Sequence, residues 1–477
     1  MLLQTALAAL GAAVVAAVPT LEVRGPYFVN PKTGNRFQVV GVAYQPGGSA
    51  GYNKELKKDP LSDPDVCLRD AALMQILGIN TIRVYNLNPD LNHDECASIF
   101  NAAGMYMIID VNSPLVGEAL TSHNPWESYY AAYLNRTFAV VEAFKNYPNT
   151  LAFFSGNEVL NNNKTGATVP PYMRAVTRDI KNYIKNHSSR PIPVGYSAAD
   201  VREILFDTYN YFQCSIEGEK DDMSRGDIFA LNSYSWCGDS SFKEASYDEL
   251  VSGFTGTAVP VFFSEYGCNV PYPRIFTEVG SIYSPDMWDV FSGGVVYEYT
   301  QEDNNYGLVK IDANGNAQLL GDYLALREQY SKLNFDEIQG QSAPKSDAKP
   351  PVCSEKLITT EGFNTNFTLP VLPPGAPEII KDGVKPRPSG KLVEIKDWKV
   401  KYTVKNPDGT VITNLAVQPL ADDEINRPGL NTEADISSAT GTSSADSPKE
   451  SEDAAPRAAA VLLPAFAMGA FAVMANL

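Results

Sequence analysis

Two glutamates at the ends of apolar runs carry the chemistry in this chain. One closes Leu151-Ala152-Phe153-Phe154-Ser155-Gly156-Asn157-Glu158; the other sits in Val261-Phe262-Phe263-Ser264-Glu265-Tyr266-Gly267, about a hundred residues later. A short apolar run bounded by glycine reads as a buried strand, so each run delivers a carboxyl group to a strand end, with Gly156 breaking the first. A glycosidic bond needs such a pair: one carboxyl protonates the leaving oxygen, the other attacks or stabilises the sugar carbon. Glu158 is expected to be the general acid/base, its pKa raised by its neighbours, and Glu265 the ionised nucleophile held by hydrogen bonds. Carboxyl groups about 5–5.5 Å apart would retain configuration through a covalent glycosyl intermediate. Asn157 is placed to bond the sugar 2-hydroxyl.

The elements that must position these residues alternate. Apolar runs at Gln38–Val42, Thr81–Tyr85, Tyr106–Val111, Leu151–Ser155, Ile192–Tyr196, Ile228–Asn232, Val261–Ser264 and Gly294–Tyr299 read as strands. Helical patterns separate them: Pro64–Leu77, Asp94–Ala103, Ser128–Lys145, Pro171–Asn186, Val201–Tyr211, Tyr247–Phe254, a broken one near Arg274–Val290, and Gly321–Leu333. Starts such as Ser62-Asp63-Pro64 support the helix assignments. Eight strand–helix units predict an α/β fold, a (β/α)8 TIM barrel, with working residues at the C-terminal ends of the strands. Polar and aromatic residues gather there: Tyr44 and Gln45, Tyr85 and Asn86, Asp110 and Asn112, Tyr196 and Asp200, Tyr234 and Trp236, Tyr266, and Tyr297 with Glu298. Flat aromatic faces suit sugar rings. Glu158 ends the fourth strand and Glu265 the seventh, so they are expected to face each other across a cleft.

The boundaries follow from composition. Residues 1–18 are apolar and small with Val15-Ala16-Ala17 as a cleavage site, which reads as a signal peptide. The barrel is expected over 19–338. A polar, proline-containing linker and a small β-rich appendage occupy 339–425, with strands at Lys391–Ile395, Lys399–Lys405 and Val411–Val417 and a turn at Asn406-Pro407-Asp408-Gly409. Residues 426–453 read as a disordered Ser/Thr-rich stalk, and 454–477 as a GPI-anchor signal behind the small residues Ser443-Ser444-Ala445. Localisation then follows the secretory pathway to the outer face of the plasma membrane or the wall.

The 38 basic and 56 acidic residues give a net charge of −18, which argues against nucleic acid as a partner. His93, His123 and His187 are not at metal-ligand spacing, and no glycine-rich nucleotide loop occurs, so no metal or cofactor is expected. Six cysteines fit an oxidising compartment and allow fifteen pairings. Sequons at Asn135, Asn163, Asn186 and Asn366 agree with secretion.

The ordered series Gly41-Val42-Ala43-Tyr44-Gln45, Arg83-Val84-Tyr85, Gly156-Asn157-Glu158, Val194-Gly195-Tyr196-Ser197, Asn232-Ser233-Tyr234-Ser235-Trp236-Cys237 and Ser264-Glu265-Tyr266-Gly267-Cys268 resembles the fungal GPI-anchored β-1,3-glucanosyltransferases of glycoside hydrolase family 72. The resemblance runs from about Gly25 to Cys353. It implies cleavage of an internal β-1,3-glucan bond and transfer of the held piece to the end of another glucan chain. Glu158 then matches the acid/base and Glu265 the nucleophile. Tyr85, Asn157, Tyr234 and Tyr297 match sugar-contacting positions, as do Gln45, Asp110 and Asp200. It also implies the disulfides Cys67–Cys96, Cys214–Cys353 and Cys237–Cys268. Relatives carry an arginine shortly after the position of Asp200, for which Arg202 is the candidate. The added cysteine-rich module of some members has no counterpart, since no cysteine follows Cys353. Donor and acceptor glucan chains and a lipid anchor are the implied partners, and the protein is expected to be a monomer. Two other readings compete: an endo-β-1,3-glucanase that passes the fragment to water, and a non-catalytic glucan-binding wall protein, which would not need both glutamates.

Overall fold

Eight parallel strands close into a barrel in the computed structural model, which describes residues 17–431. They are β1 (Val39–Tyr44), β2 (Thr81–Val84), β3 (Tyr106–Asp110), β4 (Thr150–Asn157), β5 (Val194–Ala199), β6 (Ile228–Asn232), β7 (Val261–Tyr266) and β8 (Phe291–Val296). Sequence order is ring order, and β8 pairs with β1 to complete the circle. Helices follow the strands: α1 (Pro64–Leu77), α2 (Asp94–Ala102), α3 (Ala131–Phe144), α4 (Pro170–His187), α5 (Arg202–Gln213), α6 (Tyr247–Phe254), α7 (Glu278–Ile282) and α8 (Gly321–Ser331). The start of α1 shows why the boundaries were legible. Asp63 accepts from the amides of Asp65 and Val66, Pro64 occupies the first turn, and Gly78 ends the helix at φ 82°.

Two cores result. One lies between strands and helices. The other fills the barrel with Val39, Ala43, Ile108, Ala152, Phe154, Ala230, Phe262 and Val295. Its floor is a three-stranded antiparallel sheet (Glu22–Arg24, Tyr27–Val29, Arg36–Phe37) that the sequence reading did not anticipate. Phe28 packs edge-on against Phe262 at 5.8 Å, and Phe37 against Tyr106 at 5.1 Å. The barrel is therefore stoppered below and open to chemistry only above.

The C-terminal segment drapes over the helices. Three disulfides are formed, Cys67–Cys96, Cys214–Cys353 and Cys237–Cys268, the same pairs the resemblance implies. Cys214–Cys353 fastens the start of this segment beside α5. A small sheet joins Val309–Ile311, Ala317–Leu319 and Val404–Lys405. The turn at 406–409 reverses the chain, so Val400 pairs with Leu415 and Ile412 with Val404. Lys391–Ile395, by contrast, is not a strand. Its amides at Lys391 and Val393 bond the side chains of Asp94 and Ser98 on α2, so side chains replace a ladder. The barrel does not stop at 338 either: a helix spans Phe335–Gly340, and Asn35 bridges Ser342. Asn426 and Asn431, placed in the stalk by composition, are buried; their amides bond Gln75 and Ile79, and Gln75 and Ala416. Most of the signal-peptide span, the rest of the stalk and the anchor signal lie outside the described residues.

Candidate active site

Both glutamate-bearing strands carry an irregularity just before the carboxylate. Between β4 and β5 the register shifts after Phe154, with Gly156 opposite Tyr196 and Asn157 opposite Ser197. Between β7 and β6 it shifts after Phe263, with Glu265 opposite Asn232. Such bulges bend a strand and re-aim the next side chain. The first strand therefore runs through Gly156 to Asn157 instead of breaking there. A Cβ at Gly156 would lie 2.6 Å from Met173, so the glycine lets α4 close on the bulge. Glu158 follows with φ 50°, a left-handed conformation that costs a non-glycine residue about 1 kcal/mol and that surrounding contacts must hold.

Arg83 is the hub. It is fully buried in β2, its guanidinium standing 4.9 Å from the Phe154 ring and 4.5 Å from the Tyr85 ring. Nε and Nη2 donate to the two oxygens of Asp110 at 2.9 and 3.1 Å. Nη2 also donates to Asn157 Oδ1 at 2.8 Å, and Nη1 to Asn232 Oδ1 at 3.2 Å and Glu265 Oε1 at 3.1 Å. Tyr85 and Tyr234 complete the Glu265 shell, donating to Oε1 at 2.8 Å and Oε2 at 2.7 Å. Asn232 Nδ2 donates to Glu158 Oε1 at 2.8 Å and to Asn157 Oδ1 at 3.1 Å. The two glutamates are thus joined by one chain of bonds, Glu158–Asn232–Arg83–Glu265. Behind it, the Ser197 and Ser264 hydroxyls lie 2.8 Å apart and 3.1 and 2.8 Å from Asn232 Oδ1, so that with one proton each they make two of these three bonds at a time.

The charges explain the electrostatics. Arg83 is already matched by Asp110, so it compensates Glu265 only in part. Burial pushes the Glu265 carboxyl up to about 7, the Arg83 charge and the two phenol bonds opposing and the nearby Glu158 charge adding to the rise. The rise at Glu265, which the sequence reading did not expect, follows from its depth: it is 8% exposed. Two carboxylates, Asp110 and Glu265, thus share the one guanidinium.

The remaining expected residues divide. Tyr85, Tyr234 and Tyr297 line the cleft, half-buried. Gln45 is buried and accepts from Asn86 at 3.3 Å. Both oxygens of Asp110 hold Arg83, and it is 5% exposed. Asp200 is paired with Arg202 and accepts from Ser233 at 2.6 Å. Trp236 belongs to the core, with its indole on Thr277 and its ring on Tyr247. Tyr44, Tyr196 and Tyr266 are likewise core, since pleating turns alternate residues away from the barrel axis.

Arg83, Asn232, Ser197, Ser264 and Tyr306 were given no role in the sequence reading, although the first four stand in the quoted motifs. The signal was present for Arg83, a charge inside the otherwise apolar run of β2, and for Asn232, a polar residue ending one. Tyr306 gave none. It arrives from a loop and packs 5.7 Å from Tyr234 and 5.3 Å from Tyr297. Among the described residues no cluster could hold a metal ion.

A (β/α)8 barrel with two linked carboxyls at the tops of β4 and β7 defines an enzyme class, the carboxylate-pair glycosidases and transglycosidases. The family model described as glucanosyltransferase, glycoside hydrolase family 72, matches residues 10–334. The chain is 54% identical over 427 residues to the 1,3-beta-glucanosyltransferase gel2 of Aspergillus fumigatus, covering 90% of this chain and 88% of that one. It is 44% identical over 442 residues to the probable 1,3-beta-glucanosyltransferase GAS3 of Saccharomyces cerevisiae, covering 87% and 82%. Among solved structures it is similar to a glutamate-to-glutamine variant of S. cerevisiae Gas2p in complex with laminaritetraose and laminaripentaose, with TM-score 0.65, 34% identity and 75% of each chain covered. The chain belongs to the glucanosyltransferase family, glycoside hydrolase family 72.

Proposed function

We propose that the protein is a retaining β-1,3-glucanosyltransferase in which Glu265 is the nucleophile and Glu158 the acid/base. The observation that carries this reading is the single bond network joining both carboxyls across the barrel mouth. In the first half-reaction Glu158 gives its proton to the glycosidic oxygen as that oxygen leaves the anomeric carbon. A Glu265 oxygen forms the ester bond to the same carbon. In the second, an acceptor sugar hydroxyl attacks that carbon, its proton returns to Glu158, and the ester bond breaks. Tyr85 and Tyr234 hold the Glu265 oxygens, and Arg83 offsets the charge that returns there when the ester is released. Asn157 is held by Arg83 and Asn232, which fixes it for a sugar 2-hydroxyl. Asp110 positions Arg83. Tyr234, Tyr297 and Tyr306 offer ring faces to the glucan.

The three disulfides support action in an oxidising compartment outside the cytosol. No helix among the described residues is long and apolar enough to cross a membrane. The small residues Ser443-Ser444-Ala445, the polar spacer and the apolar residues 454–477 support a lipid-anchor signal, with the protein acting at the cell surface as a monomer on wall glucan.

The test is incubation with one laminari-oligosaccharide of defined length. Products longer than the input are expected; only shorter ones would make the enzyme a glucanase. E158Q and E265Q should each lower the rate by at least about a hundredfold, within the range for loss of an acid/base or nucleophile. Wild-type-like turnover in either variant removes that residue from the mechanism.

A further inference from the structure

Arg274 lies on the loop between β7 and α7, behind the cleft, and is 3% exposed. Nη1 donates to the carbonyl of Gly267 at 3.3 Å and to that of Tyr297, and Nη2 to the carbonyl of Tyr306. Nε donates at 2.6 Å to Asp322, a fully buried residue in the first turn of α8. The guanidinium also stands 4.6 Å from the Phe276 ring and 5.6 Å from that of Tyr306. Gly267, at φ 111°, clears its path: a Cβ there would sit 3.3 Å from Nη1.

One rigid fork therefore fixes three points of backbone. Gly267 is two residues past Glu265. Tyr297 opens the loop that leaves β8, and Tyr306 comes at its far end. The rings of Tyr297 and Tyr306, with Tyr234, form an edge-to-face cluster, and Tyr234 bonds Glu265 directly. A buried guanidinium is expensive unless a carboxylate and several acceptors satisfy it. Here Asp322 supplies the counter-charge, and the acceptors are all carbonyls of the loops that frame the nucleophile. Lysine could not replace it, since an ammonium on a flexible stem cannot hold three carbonyls in one plane.

We propose that Arg274, neutralised by Asp322, is a positioning residue for the glycosyl transfer, setting the Tyr297–Tyr306 loop so that its two rings and Tyr234 close the sugar site over Glu265. The inference rests on the transferase reading above.

The test is a double-mutant cycle of R274K and Y306A, with kcat and KM on one laminari-oligosaccharide and thermal midpoints for all four proteins. R274K should lower kcat/KM about tenfold, chiefly through KM, as expected for two lost hydrogen bonds in sugar-binding loops. In the Y306A background the same change should cost about threefold, because one of the two rings it positions is already gone. A full tenfold loss there, or unchanged kcat/KM in folded R274K, overturns the proposal. If R274K does not fold, D322N takes its place in the cycle with the same two outcomes. Should the wild type only hydrolyse, the transferase reading fails, while the cycle, followed through hydrolysis, still decides the role of Arg274.

Discussion

Glu265 shows how one side chain is tuned by groups that never touch substrate carbon. Burial raises it, and the phenols of Tyr85 and Tyr234 lower it by bonding the ionised form. The nucleophile must be ionised, so activity falls as pH drops through its pKa. Y234F removes a bond that favours the charged form and should move the acid limb of the kcat/KM profile upward by about one pH unit, the effect of one hydrogen bond to a charge. An unmoved limb, with a lower plateau, would mean that Tyr234 serves the sugar alone. At this scale the sequence showed the two glutamates, because a carboxylate at the end of an apolar strand is a visible anomaly. It did not show that Glu265 would be raised. That depends on depth in the cleft and on Asp110 taking both oxygens' worth of Arg83, neither of which spacing can report.

At the scale of elements, the strands and helices were legible to within a few residues because period, caps and glycines are local signals. The bulges before Glu158 and Glu265 were not, since a bulge is defined against a neighbouring strand. The same holds for Lys391–Ile395, whose strand-like composition is satisfied by α2 side chains instead of a ladder. Close strand approach is equally a property of pairs. A Cβ at Gly195 would lie 2.2 Å from the Ile228 carbonyl and 2.4 Å from its Cγ1, in the seam between β5 and β6. Neither obstacle can rotate away freely. G195A should therefore destabilise the barrel by about 3 kcal/mol, in the range of overpacked cores, and lower the urea midpoint accordingly. A midpoint within error of the wild type would show that the seam yields.

For the whole molecule, burial of acids sets the pH at which it is most stable. Glu278, at the start of α7, is 3% exposed, and burial pushes it up to about 7. Its folded pKa lies above its unfolded value of 4.5, so the fold favours the protonated form. Its contribution is complete below about pH 4.5 and is lost as pH rises through about 7. E278Q should thus match the wild type in stability near pH 4.5 and exceed it at pH 8 by on the order of 3 kcal/mol, read from denaturant midpoints at the two pH values. An equal gap at both would rule out titration of this residue. The N-terminal sheet under the barrel and the C-terminal segment around it act at the same scale. Both join residues hundreds of positions apart, such as Arg36 with Asp289 and Asn426 with Ile79.

The sequence alone determined the barrel, the order of its strands and the two carboxyls at its mouth, because those follow from local periodicity and from residue types that local structure leaves exposed at strand ends. The family's ordered motifs added the disulfide pairs. The motifs also implied that Tyr85, Tyr234 and Tyr297 contact sugar; only the tertiary structure decided that Tyr44, Tyr196 and Trp236 face the core, that Arg83 links the glutamates, and that Arg274 holds their surrounding loops. Those outcomes depend on which side of a pleat a residue falls and on which distant chain arrives beside it, and a linear chain carries no direct mark of either.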